Sequence, residues 1–169
     1  PLNRVNLITS YIKINDSIIE GLPMFDCLFT DENGIQGTIG LYGHDVDIPV
    51  FEMNHGNTNY SEDLLDARQS GKYKAVIVLT LGETPGLMAI NTPDFGQNFG
   101  IPVLQISGEA KEQIEQTISS HTSVHMVVHA DFEQTESYNI VTEIKGLNNN
   151  LNPIVVMTPR SGWWNCASE

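Results

Sequence analysis

The chain has 169 residues, room for one medium domain or for one small domain plus part of another. Apolar residues make up 40% and charged residues 17%, which excludes a disordered acidic tail and fits a packed core. Eight Lys and Arg stand against 21 Asp and Glu, a formal charge of -13, so nucleic acid and membrane surfaces are not expected partners.

The chain opens on Pro1 without a basic-then-apolar leader, the pattern expected of a processed or excised piece. Leu7–Ile14 is rich in β-branched and aromatic residues and predicts a strand. Asn15-Asp16-Ser17 and Asn59-Tyr60-Ser61 match the glycosylation sequon, and both are read as unmodified surface loops. Asp31–Gly34 is a turn signal between Met24–Phe29 and Ile35–Leu41. Asn33-Gly34 tolerates positive φ, so a hairpin is expected there. Ile48–Met53 predicts another strand, with Pro49 marking an edge position or a strand start.

Beyond that point the period changes. Ser61 caps a predicted helix through Leu64, Leu65 and Arg68, with Glu62 and Asp63 in its first turn and Gly71 at its stop. Tyr73–Thr80 is the most apolar strand and is expected at the centre of a sheet. Its Ala75–Leu79 is the longest apolar run, too short to span a membrane. Gly82–Gly100 reads as loop and Ile101–Ile106 as a strand. Ser107 caps a second helix that puts Ala110, Ile114 and Ile118 on one face. Val124, Met126 and Val128 alternate with polar residues, as a half-buried strand does. Asp131–Ser137 reads as a linker. Tyr138–Ile144 and Ile154–Thr158, separated by Gly146–Asn150, predict a β-hairpin.

Several groups of residues invite a chemical reading. His121, His125 and His129 recur every four residues. On a helix they would be neighbours, but on a strand four residues span about 13 Å, too far for one ion. The alternation around them favours the strand. His44-Asp45-Val46-Asp47 offers an imidazole and two carboxylates to Ca²⁺ or Zn²⁺, yet lacks the oxygen count of a calcium loop and reads as a polar turn. Gly37, Gly40 and Gly43 do not form the dinucleotide fingerprint, and no P-loop lysine follows them. Ser161 and Cys166 have no base beside them in sequence, and Cys27 and Cys166 are too few for a disulfide framework. Trp163-Trp164 suits a stacking platform or a core. No residue is assigned a catalytic, cofactor-binding or metal-binding role, and no cofactor is expected.

Two stretches carry a resemblance. Lys74–Ile118 runs from an apolar strand through a Gly/Pro loop into Gly100-Ile101-Pro102-Val103-Leu104-Gln105-Ile106-Ser107 and a helix. This order resembles the protease-associated (PA) domain, a small β-rich domain with flanking helices, inserted in or attached to peptidases and sorting receptors. Tyr138–Gly146 followed by Ile154–Trp164 resembles the opening hairpin of the co-catalytic zinc aminopeptidase family. There the second strand ends in His-x-Asp, whose His binds zinc. In register, Arg160 stands at the His and Gly162 at the Asp. A guanidinium has no lone pair for a metal, and glycine has no side chain to orient a ligand. Glu169 matches the bridging acidic ligand only loosely.

The expected fold is mixed and β-rich α/β. It comprises an N-terminal strand segment over residues 1–14, a PA-like swivelling β/β/α domain with two flanking helices over 15–132, and a linker with the first strands of an incomplete aminopeptidase-like domain over 133–169. The resemblance implies a non-catalytic interaction module, with the loop Gly82–Gly100 as its contact surface. The alternative is part of a metal-dependent exopeptidase whose active site lies mostly beyond this chain. Expected partners are the rest of the peptidase-like domain, a protein or peptide, and a second copy through the C-terminal hairpin.

Overall fold

The computed structural model describes residues 2–54, 59–83, 86–90, 98–136, 138, 140–146 and 151–157. The β-rich start of the chain folds as β1 (Leu2–Ile14) and β2 (Ser17–Pro23), joined by the two-residue turn Asn15–Asp16. Asn15 takes φ 52°, the left-handed region that tight hairpin turns require. The remaining strands are β3 (Ile35–Leu41), β4 (Ile48–Asn54), β5 (Val76–Leu81), β6 (Val103–Ser107) and β7 (Ser123–Thr135). They close into a barrel in the order β1-β2-β6-β5-β4-β3-β7. The run β3-β4-β5-β6 is parallel, and the β1-β2, β2-β6, β3-β7 and β1-β7 pairs are antiparallel. Among the described residues the result is a mixed sheet of seven strands with two short helices, a β-rich α/β fold.

Parallel neighbours need a connection that returns the chain to its start. Helix α1 (Glu62–Gln69) does this between β4 and β5. Ser61 Oγ accepts from Leu64 N at 3.2 Å, and Gly71 at φ 70° ends the helix turn. The link from β3 to β4 is only residues 42–47. It suffices because three residue pairs form, Ile39 with Ile48 through Leu41 with Val50, so the chain returns a short way. Pro49 therefore lies at the start of a strand flanked on both sides, not on an edge. Ser107 Oγ caps a 3-10 turn, Gly108–Ala110, that leads into α2 (Lys111–Ser119).

β5 is buried on both faces, and its alternation separates two cores. Ile77 and Leu79 join Ile12, Ile39, Ile48, Leu104, Ile106, Met126 and α2's Ile114. Val76 and Val78 face the other way, towards Met24, Cys27, Leu64, Ala67, Ile90 and Val103. The first cluster fills the barrel; the second lies under α1 and the loops outside it. Each fully buried aliphatic side chain here is worth about 1.5–3 kcal/mol.

The N-terminal strand expected over residues 1–14 forms as β1, which pairs with both β2 and β7. Three expectations need correction. Met24–Phe29 is not a strand of a hairpin. The Asp31–Gly34 turn forms, with Gly34 N donating to Asp31 O at 3.2 Å, but the free side of β3 is taken by β7. Residues 24–30 instead make a loop with isolated bridges from Cys27 to Phe99 and from Thr30 to His129. Asp131–Thr135 is not linker, because that mostly polar stretch extends β7 along β1. Finally, the described residues of 138–157 lie in no strand. Residues 137–169 form a unit of their own, and a lone two-stranded hairpin is marginal in water. Ile140, Val141, Ile144 and Ile154–Met157 are exposed there.

Candidate functional site

The loop 24–30 is held from below by a buried charge. Leu64, Ala67 and Arg68 are the buried positions of α1, one helical stripe, and Arg68 is the charged member. Its Nη2 lies 2.9 Å from Asp26 Oδ1, with both side chains excluded from solvent. The same nitrogen donates to Asp26 O at 3.1 Å and Phe99 O at 3.2 Å. Two protons thus serve three oxygens, and the Oδ1 contact is an ion pair out of hydrogen-bond alignment. The guanidinium lies 3.8 Å from the Phe99 ring centre and 5.3 Å from that of Tyr60. Tyr60 OH donates to Asp26 Oδ2 at 2.8 Å. Burial, then this hydrogen bond, raises the Tyr60 hydroxyl pKa.

The cluster ties the loop 24–30 to the end of the loop before β6. Phe99 N donates to Asp26 O at 2.8 Å, and Asn98 Nδ2 to Cys27 O at 2.5 Å. Gly100 holds φ 72° with its α-carbon against α1, where an added Cβ would lie 2.6 Å from Arg68 O. Cys27 is buried, and burial first of all pushes its thiol up to about 11, so it is not a nucleophile at neutral pH. A second clamp is Gln105 on β6, also fully buried. Its Oε1 accepts from Ile90 N at 2.6 Å, and its Nε2 donates to Pro23 O at 3.0 Å. The expected contact loop, Gly82–Gly100, is therefore anchored at Ile90 and at residues 98–100. Its residues 84–85 and 91–97 lie outside the described residues. Phe25 and Leu28 are exposed on the neighbouring loop.

The other candidates resolve into structural roles. Asp47 Oδ2 accepts from Thr38 N at 2.9 Å and Thr38 Oγ1 at 3.2 Å, and Oδ1 meets Lys74 Nζ at 2.7 Å. The Lys74 contact, then the Thr38 amide, holds the Asp47 carboxyl below its ordinary range. Gly37 and Gly40 make room for this turn: a Cβ on Gly37 would lie 2.5 Å from Asp47 Cβ, and one on Gly40 2.7 Å from Val46 Cγ1. His44 and Asp45 are exposed and not drawn in. His121 lies in the turn before β7 at φ 53°. His125 Nε2 sits 2.6 Å from Asn33 O, with its ring edge-on to Tyr11, and His129 follows along the same strand. Arg160, Ser161, Gly162, Trp163, Trp164, Cys166 and Glu169 lie outside the described residues. Among the described residues, no three His, Cys, Asp or Glu converge as a metal site requires. No helix among them is long and apolar enough to cross a membrane.

Asp26, Tyr60, Arg68 and Gln105 escape a reading of the sequence by motif. One signal was present: Arg68 falls four residues after Leu64, on the stripe that must face the core, and a charge there demands a partner.

The fold has counterparts among solved structures. It is similar to part of BSAP, a zinc aminopeptidase from Bacillus subtilis, at 17% identity and a TM-score of 0.51, over 76% of this chain and 33% of that one. It is also similar to an aminopeptidase from Aneurinibacillus sp. strain AM-1, at 13% identity and a TM-score of 0.56, over 78% of this chain and 34% of that one. At such identities the likeness is one of fold. This chain spans about a third of the length of these enzymes. No protein-family profile and no curated protein sequence matches it. The described residues do not supply the donor set that a zinc ion needs.

Proposed function

We propose that this chain is the protease-associated module of a zinc-aminopeptidase-like protein. It is a non-catalytic unit that shapes access to a neighbouring active site or carries protein contacts. The supporting observation is the fold likeness, which runs over three quarters of this chain and falls on one third of each aminopeptidase. The barrel's own chemistry agrees with that reading. The buried Asp26, Arg68 and Gln105, with the half-buried Tyr60, are engaged in fixing loops to the scaffold. Fixed loops on a rigid barrel suit recognition. Gly82–Gly100 with the adjoining Phe25 and Leu28 is the contact surface, and the charge of -13 favours neutral or basic partners. The remainder of the peptidase-like domain is the first partner.

In this reading the tail 138–169 begins the peptidase-like domain with a degenerate ligand motif, Arg160 and Gly162 replacing the zinc-binding His and its Asp. A second reading is favoured by the same tail: the parent is a metal-dependent exopeptidase with its ligands mostly beyond this chain. Zinc titration of the protein that carries this chain, combined with an aminoacyl-anilide hydrolysis assay, separates the two. The accessory reading expects neither stoichiometric tight zinc nor hydrolysis from that protein. Stoichiometric tight zinc together with peptide hydrolysis would reverse the assignment.

A further inference from the structure

We infer that Asn33-Gly34 is a site of spontaneous deamidation and that the Asp31 carboxylate guards it in the folded chain. The inference is independent of the proposed function. Asn33 is the sole asparagine in the sequence followed by glycine, the successor that least hinders attack by its own backbone nitrogen. The reaction begins when Gly34 N loses its proton and attacks Asn33 Cγ. An N–C bond closes a cyclic imide, and the Cγ–Nδ2 bond breaks as that nitrogen takes up a proton and leaves as ammonia. Water then opens the imide at either carbonyl. The net change is one water gained and one ammonia lost, and the product is aspartate or isoaspartate.

One side chain restrains both reacting groups. Gly34 N donates to Asp31 Oδ1 at 3.1 Å and to Asp31 O at 3.2 Å, so the nucleophile keeps its proton. Asn33 Nδ2, the leaving group, is 3.4 Å from Asp31 Oδ2, and Asn33 N donates to Oδ1 at 2.9 Å. The amide anion that must form would also lie beside a carboxylate, which repels it. The turn is seated too tightly to swing away. A Cβ on Gly34 would meet Met126 O, and Asn33 O is held by His125 Nε2 at 2.6 Å.

Reaction at this point has a structural consequence. Isoaspartate adds one carbon to the backbone where the chain enters β3, next to the pair Ile35 and Met126 that begins the β3-β7 ladder. Either product adds a negative charge beside Asp31 and Glu32 on an already acidic chain. The turn thus works as a timer: it is slow while the barrel is closed and fast whenever this corner opens.

The test is mass spectrometry of the peptide containing Asn33 after incubation of the folded chain at mildly alkaline pH, reading the gain of one mass unit and the isoaspartate isomer. Asp31→Ala is expected to deamidate at least about tenfold faster than the wild type, the ordinary effect of losing hydrogen bonds to a charged acceptor. Asp31→Asn, which keeps an acceptor oxygen and removes the charge, is also expected to exceed the wild-type rate. In concentrated denaturant all three should react at one rate, above that of the folded wild type. Equal or slower reaction in folded Asp31→Ala and Asp31→Asn overturns the inference, since Asp31 would then be idle or acting as a base. If neither variant folds, Asp31→Glu, which keeps the charge but lengthens the side chain, decides: reaction faster than in the folded wild type upholds the guard, and an equal or slower rate overturns it.

Discussion

Arg68 pins the loop 24–30 to the end of the loop before β6. Its guanidinium meets one carboxylate, two carbonyls and two aromatic rings, and the Arg68 and Asp26 side chains are both excluded from solvent. Desolvating such a pair is costly, and the attraction between the partners offsets that cost only while both are present. Arg68→Met should therefore destabilise the barrel by about 3–5 kcal/mol, because Asp26 is left buried and charged. The double variant Asp26→Leu with Arg68→Met should recover most of that loss, since apolar pairs of similar volume often replace buried ion pairs without penalty. Urea unfolding of the single and double variants measures both effects. If the double variant loses the sum of the single losses, the two side chains are not coupled, and the pin is something else.

At the scale of elements, the β3-β4 corner shows how a turn is locked by charge. Asp47 bonds Thr38 on the preceding strand and Lys74 before β5, so one carboxylate joins three elements. Its folded pKa lies below the ordinary 3.8 of an unfolded aspartate, with the Lys74 contact as the leading cause. The sign follows from linkage: the added stability is fully present above the unfolded value and is lost as pH falls through the folded one. The side chains are partly exposed, so the contribution is of the size of surface pairs, below about 1 kcal/mol. Wild-type thermal midpoints should fall on acidification below about pH 4, and Asp47→Asn should flatten that part of the curve. An unchanged acid limb in the variant would assign the loss to other carboxylates.

The same scale shows what a sequence discloses. Ser61, Gly71, the run within Tyr73–Thr80 and the alternation at Val124–Val128 each carry a local signal, and each element formed where that signal lies. β2 was illegible because Ser17–Pro23 mixes exposed and half-buried positions without a clean period. The polar end of β7 read as linker because its support is long-range, a pairing with β1 more than a hundred residues earlier. Asp26 was illegible for the same reason. Its partner Arg68 lies 42 residues away, and no spacing rule connects a loop to a helix stripe. Periodicity reports which face a residue takes, but not which side chain it meets there.

For the molecule as a whole, the decisive contrast lies between its two units. Residues 1–136 form one compact unit whose barrel encloses its own apolar core. The second unit, 137–169, has the opposite character in its described part. Ile140, Val141, Ile144, Ile154, Val155, Val156 and Met157 are all exposed, and none of the described residues there is in a strand. Apolar β-branched side chains left in water favour association, and backbone groups without a ladder can pair with another chain. The full chain should therefore self-associate with rising concentration. A version ending at Glu136 should stay monomeric and melt at the same temperature, because its core is complete. Analytical ultracentrifugation of both forms reads the first effect, and calorimetry reads the second. A strictly monomeric full chain with fast amide exchange throughout 138–157 would refute the association. A lowered melting point for the shortened chain would show that the barrel draws stability from the tail, and that the two units are not energetically separate.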